Sequence, residues 1–286
     1  MPRLAYVNGR FLPHAQAAVH VEDRGYQFGD GVYEVVSVLN KRPIDTDGHL
    51  DRLNRSLREL RIDWPVTRSV LNVLMRQILR RNGIKNGIVY IQITRGVAPR
   101  DHKFPKNATP SLVMTTSKMN HLSAPRFRDG AKVVTIPDIR WTRCDIKSTS
   151  LLPNCLGKQI AAEAGAYEAW QITADGLITE GTSSNAWIVT DAGELVTRAP
   201  TSEILNGITR ISILKIAEDQ GIDFVERPFS ESEALSAREA FTTSATSFVT
   251  PVVEINNTKI GDGSPGRLSK ALMRHYEKYT NTLSEL

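Results

Sequence analysis

The sequence predicts an α+β fold in two domains. Three observations predict it. Hairpin signals and helical periodicities follow one another irregularly and not in βαβ order. An interval of broken pattern divides the chain unevenly. The length of 286 residues exceeds what one small core organises. The expected division is a small N-terminal α+β domain over 1–118, an interdomain linker over 119–129 and a larger C-terminal α+β domain over 130–286.

The elements follow in order. Asn8-Gly9 lies between two apolar runs, Leu4 to Val7 and Arg10 to Leu12, and is the strongest short hairpin signal in the chain. Val32 to Leu39 is rich in β-branched residues and predicts a strand. Behind Asp47, the expected cap, Leu50, Leu53, Leu57 and Leu60 recur at helical spacing. A second helix opens at Thr67, runs through Val70, Leu71, Leu74 and Ile78, and closes at Gly83. Strand character returns over Ile88 to Thr94 and Ser111 to Thr116. Between Lys118 and Asp129 the pattern lapses into Asn, His, Ser, Pro and charge, which marks the boundary. Beyond it come a strand from Lys132 to Ile136, a helix after Pro153, and two hairpins turning at Ala174-Asp175-Gly176 and Asp191-Ala192-Gly193. A helix from Ile208 to Asp219 ends at Gly221. Another begins at Ser230, where Ser-x-x-Glu to Glu233 is a capping box. The last follows Pro265 and turns Leu268, Leu272 and Tyr276 inward.

Composition narrows the function classes. A hydrophobic fraction of 41% and a charged fraction of 23% are ordinary for a globular chain. No long apolar run and no charged-then-apolar leader is visible, so a cytoplasmic protein without a membrane span is expected. Cys144 and Cys155 match neither a CxxC motif nor a zinc site and are expected as reduced thiols. The 6 histidines lack metal-ligand spacing, and no metal is expected. The net charge of +5 is spread along the chain without the concentrated stripe of a nucleic-acid footprint.

Several segments combine residue types that carry chemistry. Lys147, beside Ile146 and after an expected strand, is a candidate for partial desolvation, which disfavours the ammonium and frees the amine for Schiff-base formation. Glu180 stands at a strand end among small hydroxylated residues, where a carboxylate can meet a protonated pyridine nitrogen. Leu205-Asn-Gly207-Ile208-Thr209 opens a helix with free backbone N–H groups and a hydroxyl, the makings of a phosphate cradle. Arg52 offers a guanidinium to the same anion. Arg100 and His102 are two apart in a Gly/Pro-shaped loop suited to gripping a carboxylate. Each has an ordinary reading when taken singly: a solvated lysine, a turn glutamate, a simple helix cap, a wet helix face, a surface loop.

Together they resemble a known family. Asp23-Arg-Gly-Tyr-Gln-Phe-Gly-Asp-Gly-Val-Tyr33-Glu, the Arg100-x-His102 loop, Cys144-Asp-Ile-Lys147-Ser and Thr179-Glu180-Gly-x-Ser-Ser-Asn185 resemble, in the same order, the D-amino acid branch of the class IV pyridoxal-phosphate-dependent aminotransferases. The resemblance runs from about Tyr6 to about Tyr276. It implies the two-domain fold of that class (fold type IV), with pyridoxal 5′-phosphate held in the C-terminal domain. Lys147 resembles the lysine that carries the cofactor as a Schiff base and moves the proton, and Glu180 the partner of the pyridine nitrogen. Arg52, Gly207, Ile208, Thr209, Ser244 and Ala245 match phosphate-binding positions; Leu205 matches the side chain on the ring face, and Ser183 a hydroxyl near the ring. Tyr33, Arg100 and His102 match the carboxylate trap; in the relatives the Arg-x-His loop comes from a neighbouring subunit, which implies a homodimer.

The implied reaction moves the amino group of D-amino acids such as D-alanine to a 2-oxo acid, 2-oxoglutarate or pyruvate. Branched-chain L-amino acid transaminase, (R)-amine transaminase and aminodeoxychorismate lyase share the scaffold and stand as alternatives. Ala245 departs from the family, which usually has threonine there, and this puts one side-chain hydrogen bond to the phosphate in doubt.

Overall fold

The computed structural model describes residues 3–120 and 123–284. It separates into two compact units, described in turn: residues 3–120 with 146–150 and 283–284, and residues 123–145 with 151–282.

The first unit opens with β1 (Leu4–Val7) and β2 (Arg10–Pro13), paired antiparallel. Asn8 and Gly9 both take positive φ, 44° and 92°, as the type I′ turn requires. Then follow α1 (Arg24–Phe28), β3 (Gly31–Leu39), β4 (Arg42–Pro43), α2 (Thr46–Glu59), α3 (Arg68–Arg81), β5 (Gly87–Thr94) and β6 (Ser111–Lys118). The strands form an antiparallel sheet in the order β2-β1-β6-β5-β3-β4. The pleat sends Val32, Glu34, Val36 and Val38 of β3 to the buried face and leaves Tyr33 and Val35 half-exposed on the other. Leu50, Leu53, Leu57, Leu71, Met75 and Ile78 of α2 and α3 share one core with Val32, Val36 and Val38. Each buried leucine contributes on the order of 2 kcal/mol.

Local capping decides the helix ends. Thr67 caps α3 by accepting from the Val70 N–H at 3.3 Å, as its sequence predicts. Asp47 does not cap α2. The cap is Asp45, at φ 52°, and the carboxylate of Asp47, in the first turn, accepts from Arg68 at 2.9 Å. The left-handed step that enters the helix two residues earlier, tolerated by aspartate, displaces the expected boundary.

The second unit contains α4 (Arg126–Asp129), β7 (Ala131–Pro137), α5 (Leu152–Glu163), β8 (Glu168–Ile172), β9 (Leu177–Gly181), β10 (Asn185–Val189), β11 (Leu195–Thr197), α6 (Ile208–Asp219), β12 (Phe224–Glu226), β13 (Phe229–Ser230), α7 (Glu231–Leu235), β14 (Glu239–Ser244), β15 (Phe248–Ile255), β16 (Thr258–Lys259) and α8 (Arg267–Thr282). The sheet order is β12-β11-β10-β14-β15-β7-β8-β9-β13, with β16 on β15. Among the described residues, β11–β12, β15–β7 and β7–β8 are parallel and the other pairs antiparallel. The fold class is α+β.

The unit boundaries differ from the expected division. Of the linker placed at 119–129, residues 121 and 122 lie outside the described residues. Met119 stays with the first unit, its N–H bonded to the Asn86 carbonyl. Residues 126–129 form α4, whose Phe127 is buried. The segment 146–150, expected inside the C-terminal domain, packs with the first unit. The reason is strand-like pairing: Ser148 bridges Val32, the Tyr33 N–H donates to the Lys147 carbonyl at 3.0 Å, and the Thr149 N–H donates to the Gly31 carbonyl at 3.0 Å. Ile146 meanwhile joins the first unit's core.

Candidate active site

Lys147 is placed by its backbone before its side chain does anything. Its carbonyl is held by the Tyr33 N–H, and its own N–H donates to Ser56 Oγ of α2 at 3.2 Å. The half-buried side chain then lies along β3, with Nζ 4.2 Å from the centroid of the Tyr33 ring. Tyr33 in turn stacks on Tyr90 of β5, centroids 5.6 Å apart. Burial, with Tyr33 adding to it, pushes the Tyr90 phenol up to about 12, and its hydroxyl donates to Gln92 Oε1 at 2.7 Å. An amine over the negative face of a ring is an attractive contact in its charged form. Lys147 and Tyr33 are therefore brought together.

On the opposite face of β3, Arg52 is brought to Glu34. Its Nε and Nη2 each meet one carboxylate oxygen at 2.8 Å, and His49 Nδ1 lies 2.7 Å from Glu34 Oε2. Glu34 is fully buried. Burial raises a carboxyl, but the Arg52 guanidinium and then His49 outweigh it and hold Glu34 down at about 2. The head group of Arg52 is thus fixed by a bidentate pair.

Arg100 and His102 form a separate, exposed cluster. The Arg100 guanidinium lies 5.0 Å from the Phe28 ring centroid, and the His102 ring 5.5 Å from the same ring. Buried Arg24 sits over that ring at 4.7 Å, donates to the Asp101 carbonyl at 2.5 Å and pairs with Asp30 at 2.7 Å. The loop is anchored from below while the side chains of Arg100 and His102 are exposed.

In the second unit, Glu180 ends β9 inside a ring of donors. Asn185 Nδ2 donates to Oε2 at 3.0 Å, the Leu205 N–H reaches both oxygens at 3.1 Å, and Arg140 Nη1 donates to Oε1. Arg140 gives its other nitrogens elsewhere: Nε to Asp138 Oδ1 at 2.9 Å, and Nη2 to Asp138 Oδ2 at 2.7 Å and to the Glu203 carbonyl at 3.1 Å. Thr179 Oγ1 also donates to Asp138 at 2.8 Å. Burial raises the Asp138 carboxyl, but Arg140 and the Thr179 hydroxyl outweigh it, so the group is held below the usual carboxylate range. Burial pushes the neighbouring Cys144 thiol up to about 12, so it stays neutral.

Asn185 also donates to the Leu205 carbonyl at 2.8 Å, tying the start of the next segment to Glu180. Two residues on, Gly207 is the N-cap of α6 with no side-chain capping bond. A Cβ there would come within 2.1 Å of Asn185 Oδ1, so only glycine lets the helix start so close. The first N–H groups of α6, at the buried Ile208 and Thr209, lack intrahelical acceptors and carry the positive end of the helix dipole. The β10–β14 register sets Asn185 opposite Thr243, next to the turn in which Ser244 Oγ lies 2.7 Å from Ser247 Oγ. Ser183, implied to stand near a ring, donates its hydroxyl to buried Glu168 at 2.9 Å, and Ser184 does the same at 3.1 Å.

The donors of each unit suit a part of pyridoxal phosphate: in the first, an amine on an aromatic face for a Schiff base; in the second, an oriented carboxylate for a pyridinium, and an uncapped helix start beside a hydroxyl-rich turn for a phosphate dianion. The sequence reading missed Asp138, Arg140 and Glu168, and included Glu34 in a motif without a role. Asp-x-Arg after a strand reads as loop, and Glu34 continues a strand pattern; neither advertises a partner distant in the chain. Asn185 stood in a recognised motif without a role. Among the described residues, no His, Cys, Asp and Glu group is arranged to hold a metal ion, and no helix is long and apolar enough to cross a membrane.

Comparison with known proteins places the chain. Residues 31–255 match the family model for amino-transferase class IV. The D-alanine aminotransferase of Bacillus licheniformis is 41% identical over 92% of this chain and 92% of its own. That of Staphylococcus haemolyticus is 39% identical over 98% of each. Among solved structures, the branched-chain amino acid aminotransferase of Escherichia coli superposes with a TM-score of 0.90 at 23% identity, covering 100% of this chain and 97% of that one. The branched-chain aminotransferase of the thermophilic archaeon Thermoproteus uzoniensis, solved with norvaline, gives 0.88 at 23%, covering 97% and 94%. The chain belongs to the class IV aminotransferases.

Proposed function

We propose that the protein transfers the amino group of D-amino acids, D-alanine among them, to a 2-oxo acid such as 2-oxoglutarate or pyruvate, working as a homodimer. The observation that carries the substrate class is the nearly full-length likeness to D-alanine aminotransferases. The branched-chain enzymes share the fold at an identity too low to carry their substrates across.

Class IV aminotransferases use pyridoxal phosphate, which supplies an electrophilic carbonyl and, once its ring nitrogen is protonated, a sink for the electrons released at the substrate Cα. Lys147 would hold the cofactor covalently through Nζ, and as a free amine that Nζ would take up and return the proton of the substrate Cα. Its backbone bonds to Tyr33 and Ser56 fix where that proton is handled. Glu180 keeps a proton at the ring nitrogen, and the bonds from Asn185, Leu205 and Arg140 hold the carboxylate in one orientation. The N–H groups of Ile208 and Thr209, the approach allowed by Gly207, the 244–245 turn and the Arg52 guanidinium would hold the phosphate. Leu205 would hold the ring by apolar contact, and Ser183 would stiffen the surroundings through its bond to Glu168. Tyr33 with Arg100 and His102, the last two from the partner protomer, bind the substrate carboxylate and so choose which Cα hydrogen faces Lys147.

The test is a panel of D- and L-amino acids with 2-oxoglutarate, followed with the visible spectrum. Turnover of D-alanine with L-leucine and L-valine inactive is expected; preference for the branched-chain L-substrates overturns the reading. Pyruvate release from aminodeoxychorismate without an amino acceptor would indicate the lyase instead.

A further inference from the structure

We propose that Asp138 and Arg140 are a positioning pair for Glu180: Arg140 holds the carboxylate in place, and Asp138 offsets the arginine's charge so that Glu180 retains its pull on a proton. The inference rests on the reading of Glu180 as partner of the ring nitrogen.

The geometry divides one guanidinium between two carboxylates. Arg140 presents Nη1 to Glu180 Oε1 and presents Nε and Nη2 side by side to the two oxygens of Asp138, at 2.9 and 2.7 Å. The Arg140 backbone N–H adds a third bond to Asp138 at 3.1 Å. All three side chains are largely withdrawn from solvent, at 6% for Arg140, 7% for Glu180 and 12% for Asp138. In such surroundings charges act with little screening. Arg140 alone would compete with any protonated ring nitrogen for the negative charge of Glu180 and make that nitrogen easier to deprotonate. The bidentate bond to Asp138 takes up much of the guanidinium's charge. What reaches Glu180 is then chiefly orientation, along one N–H. A fork of fixed geometry serves both carboxylates at once, which an ammonium does not.

The other groups near this cluster do not compete. Cys144 is neutral at physiological pH, its thiol pushed up to about 12 by burial. Asp145 is paired with Arg143 at 3.0 and 3.1 Å. Thr179 and Asn185 add neutral contacts from β9 and β10, and the Glu203 carboxylate, whose backbone carbonyl accepts from Arg140, is paired with Arg198 at 2.7 Å. The charge logic therefore runs through Asp138, Arg140 and Glu180.

The experiment is nitrogen-15 NMR of holoenzyme loaded with ring-labelled pyridoxal phosphate, titrated with pH, since the shift of that nitrogen reports whether it carries a proton. Asp138→Asn should lower the deprotonation midpoint by about one pH unit, a tenfold change in the equilibrium. Asp138→Glu, which keeps the charge, should leave it near the wild-type value. Removing both charges in Asp138→Asn/Arg140→Gln should recover much of the loss. An unchanged midpoint in Asp138→Asn overturns the proposal. So does a double variant no better than the single one, or an Asp138→Glu drop as large as that of Asp138→Asn, because a merely structural pair would behave so. Glu180→Gln separates the two layers. If the nitrogen remains protonated in that variant, the reading of Glu180 itself fails. If it loses its proton there but not in Asp138→Asn, only the positioning pair fails.

Discussion

Two buried glutamates, one in each unit, are both gripped by an arginine, and the grips differ. Glu34 meets Arg52 through two nitrogens, one on each of its oxygens, and His49 Nδ1 lies against one of them. Glu180 receives one nitrogen of Arg140, whose others turn to Asp138, and neutral donors from Asn185 and Leu205. The first arrangement converts a carboxylate into an anchor. The second orients a carboxylate without exhausting it, which is what a group meant to meet a further cation needs. Removing Glu34 should therefore cost stability first, whereas changes around Glu180 and Lys147 should cost chemistry first.

The largest effect tests the chemical side. Lys147→Ala should lower turnover of D-alanine by a factor of roughly 10^4 or more while leaving the melting temperature nearly unchanged, because its anchoring bonds are made by the backbone. Steady-state kinetics beside a thermal melt gives both numbers. Turnover near the wild-type rate removes Lys147 from the mechanism; a collapse of the fold would make position 147 an anchor like Glu34.

Glu34→Ala should cost stability first. It strands a buried guanidinium and is expected to cost about 3–5 kcal/mol of unfolding free energy, read by denaturant titration. The same residue predicts an acid limit. Its carboxyl lies at about 2 in the folded chain against 4.5 for a free glutamate side chain, so its contribution is complete above about 4.5 and is lost as pH falls toward 2. The difference corresponds to about 3 kcal/mol. The Glu34→Ala variant should lack that part of the slope; an identical pH profile in both proteins would break the contrast between the two glutamates.

How much of this was legible depends on the range of the interaction. The Asn8-Gly9 turn, the Thr67 cap and the Ser230 capping box, where the Glu233 N–H donates to Ser230 Oγ at 3.1 Å, are built within four residues, and the sequence displays them. Lys147 and Glu180 were legible as members of motifs. Their surroundings were not. Nothing local announces that residues 146–150 will pair with the start of β3, or that Arg140 will reach a carboxylate 40 positions on. Asp47 fits a capping pattern, and what decided against it was the left-handed backbone at Asp45. Long-range pairing and backbone geometry, not residue type, set these outcomes.

A smaller effect concerns the exposed loop. Arg100→Ala should raise KM for D-amino acids roughly tenfold to a hundredfold, the worth of one charge-assisted hydrogen bond, with little change in stability. Amines without a carboxylate should be unaffected. An equal loss for both substrates would assign Arg100 to its packing on Phe28 and not to carboxylate binding.

The smallest effect is a gain. Ala245 sits half-exposed in the turn whose Ser244 hydroxyl is engaged with Ser247 at 2.7 Å. Replacing it with threonine adds a hydroxyl without disturbing the core. If the turn faces the phosphate, Ala245→Thr should tighten cofactor binding by about 1 kcal/mol, roughly fivefold in Kd, measured by equilibrium dialysis. It should leave the midpoint of the ring nitrogen unmoved, because phosphate and ring are held by separate groups. Weaker or unchanged binding would mean that the turn does not contribute to the phosphate site, and would leave that anion to the start of α6 and to Arg52.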